Sequence, residues 1–77
     1  MTQEEITSFL TVVKAGSLSA AANLLYITHP ALSHRIHTLE EKLGYPLFVR
    51  RPGSRKAVLT PKGKKFFSIA EQWNALA

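Results

Sequence analysis

The stretch from Thr28 to Leu43, THPALSHRIHTLEEKL, constrains this chain more than any other. Leu32, Ile36, Leu39 and Leu43 are spaced by four, three and four residues, which places them on one stripe of an α-helix. Thr28 suits the N-cap, and Pro30 falls in the first turn, where a missing N–H costs nothing. Gly44 follows the last apolar position and suits a helix C-terminus. Burying each of these branched side chains is worth roughly 1.5–3 kcal/mol, and four together rival the roughly 5–15 kcal/mol stability of a whole domain. The stripe is therefore structural. The opposite face carries His29, Pro30, Ser33, His34 and His37, with Arg35 at its flank. It has no acid before Glu40 and Glu41, whereas an ordinary solvated face alternates Glu and Lys.

The preceding chain supplies two shorter helices. Thr2 and Glu5 form a capping box, and Ile6, Phe9, Leu10 and Val13 make a stripe running to about Lys14. Gly16 ends that helix and Ser17 can cap the next, in which Leu18, Ala21, Ala22 and Leu25 share a face. Ala20, Ala21 and Ala22 favour helix and permit close approach of a neighbour. Tyr26, Ile27 and Thr28 leave a three-residue turn before the long helix, the pattern of a helix-turn-helix without the glycine often found there.

Beyond Gly44 the character changes. LFVRR and AVLT read as short strands around Arg51-Pro-Gly-Ser-Arg55, a turn signal, and so as a β-hairpin or wing. Pro46 and Pro52 flank the first strand and suit an exposed edge. Thr60-Pro61 starts a further helix, with Phe66, Ile69, Ala70, Trp73 and Leu76 at helical spacing. The expected fold is thus mainly α, a winged helix-turn-helix in residues 1–60 followed by a long helix over residues 61–77. No internal repeat, low-complexity tract or linker interrupts it.

Charge narrows the partner. Arg50, Arg51, Arg55, Lys56, Lys62, Lys64 and Lys65 fall within sixteen residues that contain no acid. Such a run repels itself unless it meets a polyanion, most commonly nucleic acid and next an anionic membrane surface. The apolar stripe lies beyond the basic cluster, unlike an amphipathic membrane anchor. No apolar run approaches the roughly 20 residues of a membrane-spanning helix, and MTQEEITSF has no cationic signal-peptide region, so a cytoplasmic protein is expected. With no cysteine and no Gly-rich phosphate loop, and with five glutamates that form no plausible site with a nucleophile, no enzyme and no cofactor are expected. His34 and His37 are one turn apart, but two imidazoles alone make a poor metal site.

At THPALSHRIHTLEEKLGYPLF the sequence resembles the N-terminal DNA-binding domain of LysR-type transcriptional regulators. The blocks that carry the similarity run in order from about Phe9 to Gly63. They are Phe9 and Val12, Gly16-Ser17-Leu18, Ala21-Ala22, Pro30-Ala31-Leu32-Ser33, Ile36, Leu39-Glu40-Glu41-x-Leu43-Gly44, Pro46-Leu47-Phe48, Arg50-Arg51, Leu59-Thr60 and Gly63. The resemblance implies a winged helix-turn-helix that dimerises through its last helix and binds a near-palindromic double-stranded DNA site. It also implies a bacterial regulator whose small-molecule effector binds a separate C-terminal domain. That domain is absent from these 77 residues, which are therefore expected to be a fragment. One position departs from the pattern: the family most often has Gln where this chain has His29. Each histidine ring nitrogen makes a single hydrogen bond, whereas Gln offers adenine a bidentate pair.

Several residues carry alternatives. Pro30, Ser33, His34 and His37 either contact bases and phosphates, with Ser33 favouring phosphate, or form an ordinary wet face. Arg35 either reaches a phosphate or pairs with a neighbouring acid. Arg51, Arg55 and Lys56 either meet phosphate or the minor groove, or only confer solubility; Arg50 has the further option of pairing with Glu40 or Glu41. Ser17 and Ser19 either donate to a phosphate or cap the second helix. Phe66, Phe67, Ile69, Ala70, Trp73 and Leu76 are either core or dimer surface. Dimer surface is expected, since the preceding elements already supply a core. A winged-helix module that binds protein rather than DNA remains the competing functional class.

Overall fold

The computed structural model describes residues 1–76. Ala77, the last residue of the expected dimerisation helix, lies outside the described residues. Four helices form in the expected places: α1 spans Gln3–Ala15, α2 Leu18–Leu25, α3 His29–Leu43 and α4 Pro61–Leu76. Their ends follow the local chemistry of the chain. Thr2 and Glu5 complete the capping box on α1, Ser17 Oγ accepts from Ala20 N on α2, and Thr28 Oγ1 accepts from Ala31 N on α3. Gly16 and Gly44 close α1 and α3 in the left-handed conformation.

The turn between α2 and α3 lacks glycine and does without it. Tyr26 takes the left-handed conformation itself, at φ 57° and ψ 39°. Its N–H and that of Ile27 close the end of α2 on Asn23 and Ala22 carbonyls. The Tyr26 ring makes no burial in return, as the residue is 94% exposed.

α1 lies at the centre, packed against α2, α3 and α4. Phe9 is the hub: its ring lies 5.6 Å from that of Phe48, 5.2 Å from Phe66 and 6.5 Å from Phe67. Leu32, Ile36 and Leu39 of α3 are buried with it, while Leu43 packs at the margin. On α1, Val12 is fully buried and Val13 only partly, the reverse of the expected order. A helix surrounded by three others buries more than one stripe, so single-face periodicity misplaces its edge.

The wing is less regular than two strands. Its arms meet at one antiparallel bridge, Phe48 to Leu59, flanked by bonds from Val49 N to Val58 O and from Thr60 N to Leu47 O. Pro46 and Pro52 remove two donors. The N–H groups of Leu47 and Phe48 turn instead to the Glu40 carboxylate. The Arg51–Ser54 turn forms as expected, with Ser54 N donating to Arg51 O.

α4 also departs from expectation. Phe66 and Ala70 are not dimer surface: they are 2% and 0% exposed inside the domain core, and Phe67 packs partly against it. The first half of α4 has α1 as its partner, and Phe66 meets the Phe9 ring edge-on. Ile69, Trp73 and Leu76 remain exposed. Gln3 Nε2 donates to Asn74 Oδ1, tying the start of α1 to the last turn of α4. No helix among the described residues is long and apolar enough to cross a membrane.

Candidate nucleic-acid interface

The outer face of α3 begins at the α2–α3 turn. His29, Pro30, His34 and His37 are exposed on it and Ser33 is half-buried. His37 Nε2 lies 3.6 Å from Glu41 one turn on, an exposed pairing. Arg35 is not part of this face. Its guanidinium turns toward α1, 2.8 Å from Glu4 and donating to Ser8 Oγ at 3.0 Å. Of the two readings of Arg35, the pairing with an acid is the one realised.

The inner side of α3 is secured to α1 by Lys42 as well, which donates to both carboxylate oxygens of Glu5. The Thr2 backbone N–H, followed by Lys42, holds the Glu5 carboxyl below the usual carboxylate range, against the opposing effect of burial.

On the wing, Arg50 takes its alternative role and pairs with Glu40 at 3.2 Å. Arg51, Arg55 and Lys56 are exposed and form no ion pair among the described residues. Ala57 N donates to Gly16 O at 2.8 Å, which draws the second wing arm against the α1–α2 turn. The result is an open cleft of about 790 Å³ lined by Ser19, His29, Arg51, Arg55 and Lys56 among others, with no acidic residue in its wall. Residues from α2, α3 and the wing, up to 39 positions apart, are thus gathered on one surface. Ser17 stays at the N-cap of α2, its Oγ engaged with Ala20 N.

Sequence reasoning missed two features. One is the attachment of the wing to Gly16, which is a backbone bond and leaves no side-chain signal. The other is the burial of Glu40, 7% exposed, and its acceptance from Leu47 N and Phe48 N; its pairing with Arg50 was among the expected alternatives. Its signal was legible: an acid in the last turn of a helix opposes the helix dipole.

Two helices across a tight turn, a supporting α1 and a basic hairpin beside the second of them define a winged helix-turn-helix. The chain belongs to the LysR family of bacterial regulatory helix-turn-helix proteins, whose family model matches residues 4–64. It is 43% identical over 75 residues to the "Probable RuBisCO transcriptional regulator" of Cyanidioschyzon merolae, covering 97% of this chain and 24% of that protein. It is 39% identical over 70 residues to the HTH-type transcriptional activator AllS of Klebsiella pneumoniae, covering 91% of this chain and 25% of that one. This chain therefore spans about a quarter of the length of these relatives. Among solved structures, the complex of the BenM DBD with catB site 1 DNA matches at a TM-score of 0.89 and 37% identity, covering 97% of this chain and 78% of that one. The complex of the CbnR DBD with DNA matches at 0.90 and 30% identity, covering 99% and 85%.

Proposed function

We propose that this chain is the sequence-specific, double-stranded-DNA-binding part of a bacterial LysR-type transcriptional regulator. The observation that carries the proposal is the acid-free cleft that gathers His29 of α3 with the wing residues Arg51, Arg55 and Lys56, which form no ion pair among the described residues. The similarity to the DNA complexes of the BenM and CbnR domains supports it. α3 enters the major groove, where His29, Pro30, Ser33, His34 and His37 meet bases and phosphates. Arg51, Arg55 and Lys56 meet phosphate or the minor groove, and Ser19 contributes near the start of α2. Arg35 and Arg50 support this surface from within.

In the whole regulator, residues 1–60 form the DNA-binding unit, its core closed by the first half of α4, and the rest of α4 begins the segment that pairs two copies. Ile69, Trp73 and Leu76 form the pairing face, since Phe66 and Ala70 are consumed by the core. The protein works in the cytoplasm, is no enzyme, and takes its effector on a further domain.

Selection from random duplex DNA at moderate salt tests the reading. An enriched near-palindrome preferred over scrambled DNA by at least about a thousandfold is expected. Salt-sensitive binding to any duplex without enrichment would overturn sequence specificity and favour a winged-helix interaction module.

A further inference from the structure

The base-reading candidates lie on α3 and the exposed wing cations on the hairpin beside it, and the two must be held in register. Leu47 and Phe48 of the wing are buried in the core, and three further groups of hydrogen bonds hold its base and tie it to the body. Ala57 N bonds to Gly16 O, Thr60 Oγ1 donates to Pro46 O within the hairpin base, and Glu40 receives the first arm. Only Glu40 belongs to α3. Its Oε2 accepts from Leu47 N at 2.6 Å and from Phe48 N at 3.4 Å, and its Oε1 accepts from Arg50 Nη2 at 3.2 Å.

Glu40 sits where two general preferences oppose it. A carboxylate near a helix C-terminus meets the negative end of the dipole, and a buried carboxylate loses hydration. Leu or Gln at this position would serve helix and core with neither penalty. Three donors from one wing arm compensate the buried charge, and all three come from the element that must be aligned with α3. Two successive N–H groups fix the direction of the arm more tightly than one bond can, and Arg50 extends the attachment past the bridge at Phe48.

We infer that Glu40 is a positioning residue: it touches no DNA, and it sets the place of the wing relative to the base-reading face of α3. The inference rests on the DNA-binding reading above, and its first test does not. The chain has no cysteine, so Glu41→Cys on α3 and Ser54→Cys at the wing turn accept a unique pair of spin labels. Pulsed electron paramagnetic resonance then reads the α3–wing distance without DNA. A single narrow distribution is expected with Glu40 present, and a broadened or displaced one in Glu40→Gln, whose single amide oxygen can accept from Arg50 or from Leu47 N and Phe48 N, but not from both sides. An unchanged distribution in a folded Glu40→Gln chain overturns the inference and leaves Glu40 a stabilising residue only. Should that variant fail to fold, Glu40→Asp keeps the charge but is one methylene too short to reach Leu47 N, Phe48 N and Arg50 together, and an unchanged distribution there overturns the inference equally.

Binding to a mixed-sequence duplex across a salt series gives the second readout. Glu40→Gln is expected to weaken binding about tenfold and to flatten the slope of log K against log salt by roughly two, as misplaced wing cations lose phosphates. A native chain that does not bind the duplex overturns the DNA reading, while the distance measurement still decides the role of Glu40.

Discussion

Arg35 of α3 lies 2.8 Å from the carboxylate of Glu4 on α1, so a cation on the helix that carries the DNA-facing candidates points away from that face. Its second bond, to Ser8 Oγ, ends on a fully buried hydroxyl that itself donates to Glu4 O. The pair anchors the first half of α3 to α1. Arg35→Gln is therefore expected to leave the salt slope of DNA binding unchanged. It should cost about 0.5–2 kcal/mol of stability, the range for a partly exposed ion pair plus one hydrogen bond. A slope lowered by about one unit would mean that Arg35 meets a phosphate instead.

Arg51 and Arg55 differ from Arg35 in having no carboxylate partner among the described residues. Changing either to Ala should lower the salt slope by about 0.9 and weaken binding to specific and scrambled DNA alike. Thermal unfolding should be nearly unaffected, because exposed cations without partners contribute little to stability.

Gly63 is required by packing. A Cβ there would collide with the Leu47 carbonyl oxygen and lie 3.1 Å from Thr60 Oγ1, the group that caps α4. Gly63→Ala must push α4 away from the wing base, at a cost of about 1–3 kcal/mol. Circular dichroism melting should fall by at least about 4 °C.

Tyr26 gives the opposite sign. A non-glycine residue in the left-handed region is held at a cost of about 1–2 kcal/mol, and this side chain buries almost nothing to offset it. Tyr26→Gly should raise stability by up to about 1 kcal/mol, part of the relief being returned as glycine's extra freedom in the unfolded chain. A lower melting temperature would show that the ring makes a stabilising contact in solution.

Glu5 sets a pH dependence. Its carboxyl is held low on folding by Thr2 N–H and Lys42. A group depressed in this way adds stability above its unfolded value and loses it as pH falls through the folded one. Melting temperature should therefore drop on acidification below about pH 4.5, the ordinary value. Glu5→Gln should flatten that drop while lowering stability at neutral pH.

The sequence by itself determined the helices and their limits, because caps, prolines and glycines act within three or four residues of chain. Thr2, Ser17, Thr28 and Gly44 each do at short range what their types allow. It also determined that Leu32, Ile36 and Leu39 face inward, since spacing alone puts them on one side. Only the tertiary structure decided which cations are free. Arg35 meets Glu4 across 31 positions and Arg50 meets Glu40 across ten, whereas Arg51 and Arg55 have no such neighbour among the described residues. Likewise Phe66 and Ala70 share a stripe with Ile69 and Trp73, and periodicity cannot say where along that stripe α1 stops covering it. A side chain's type and direction are properties of its local chain. Its partner is a property of which distant elements the core brings beside it, and in this domain that separates the cations left free for a polyanion from those that hold the fold.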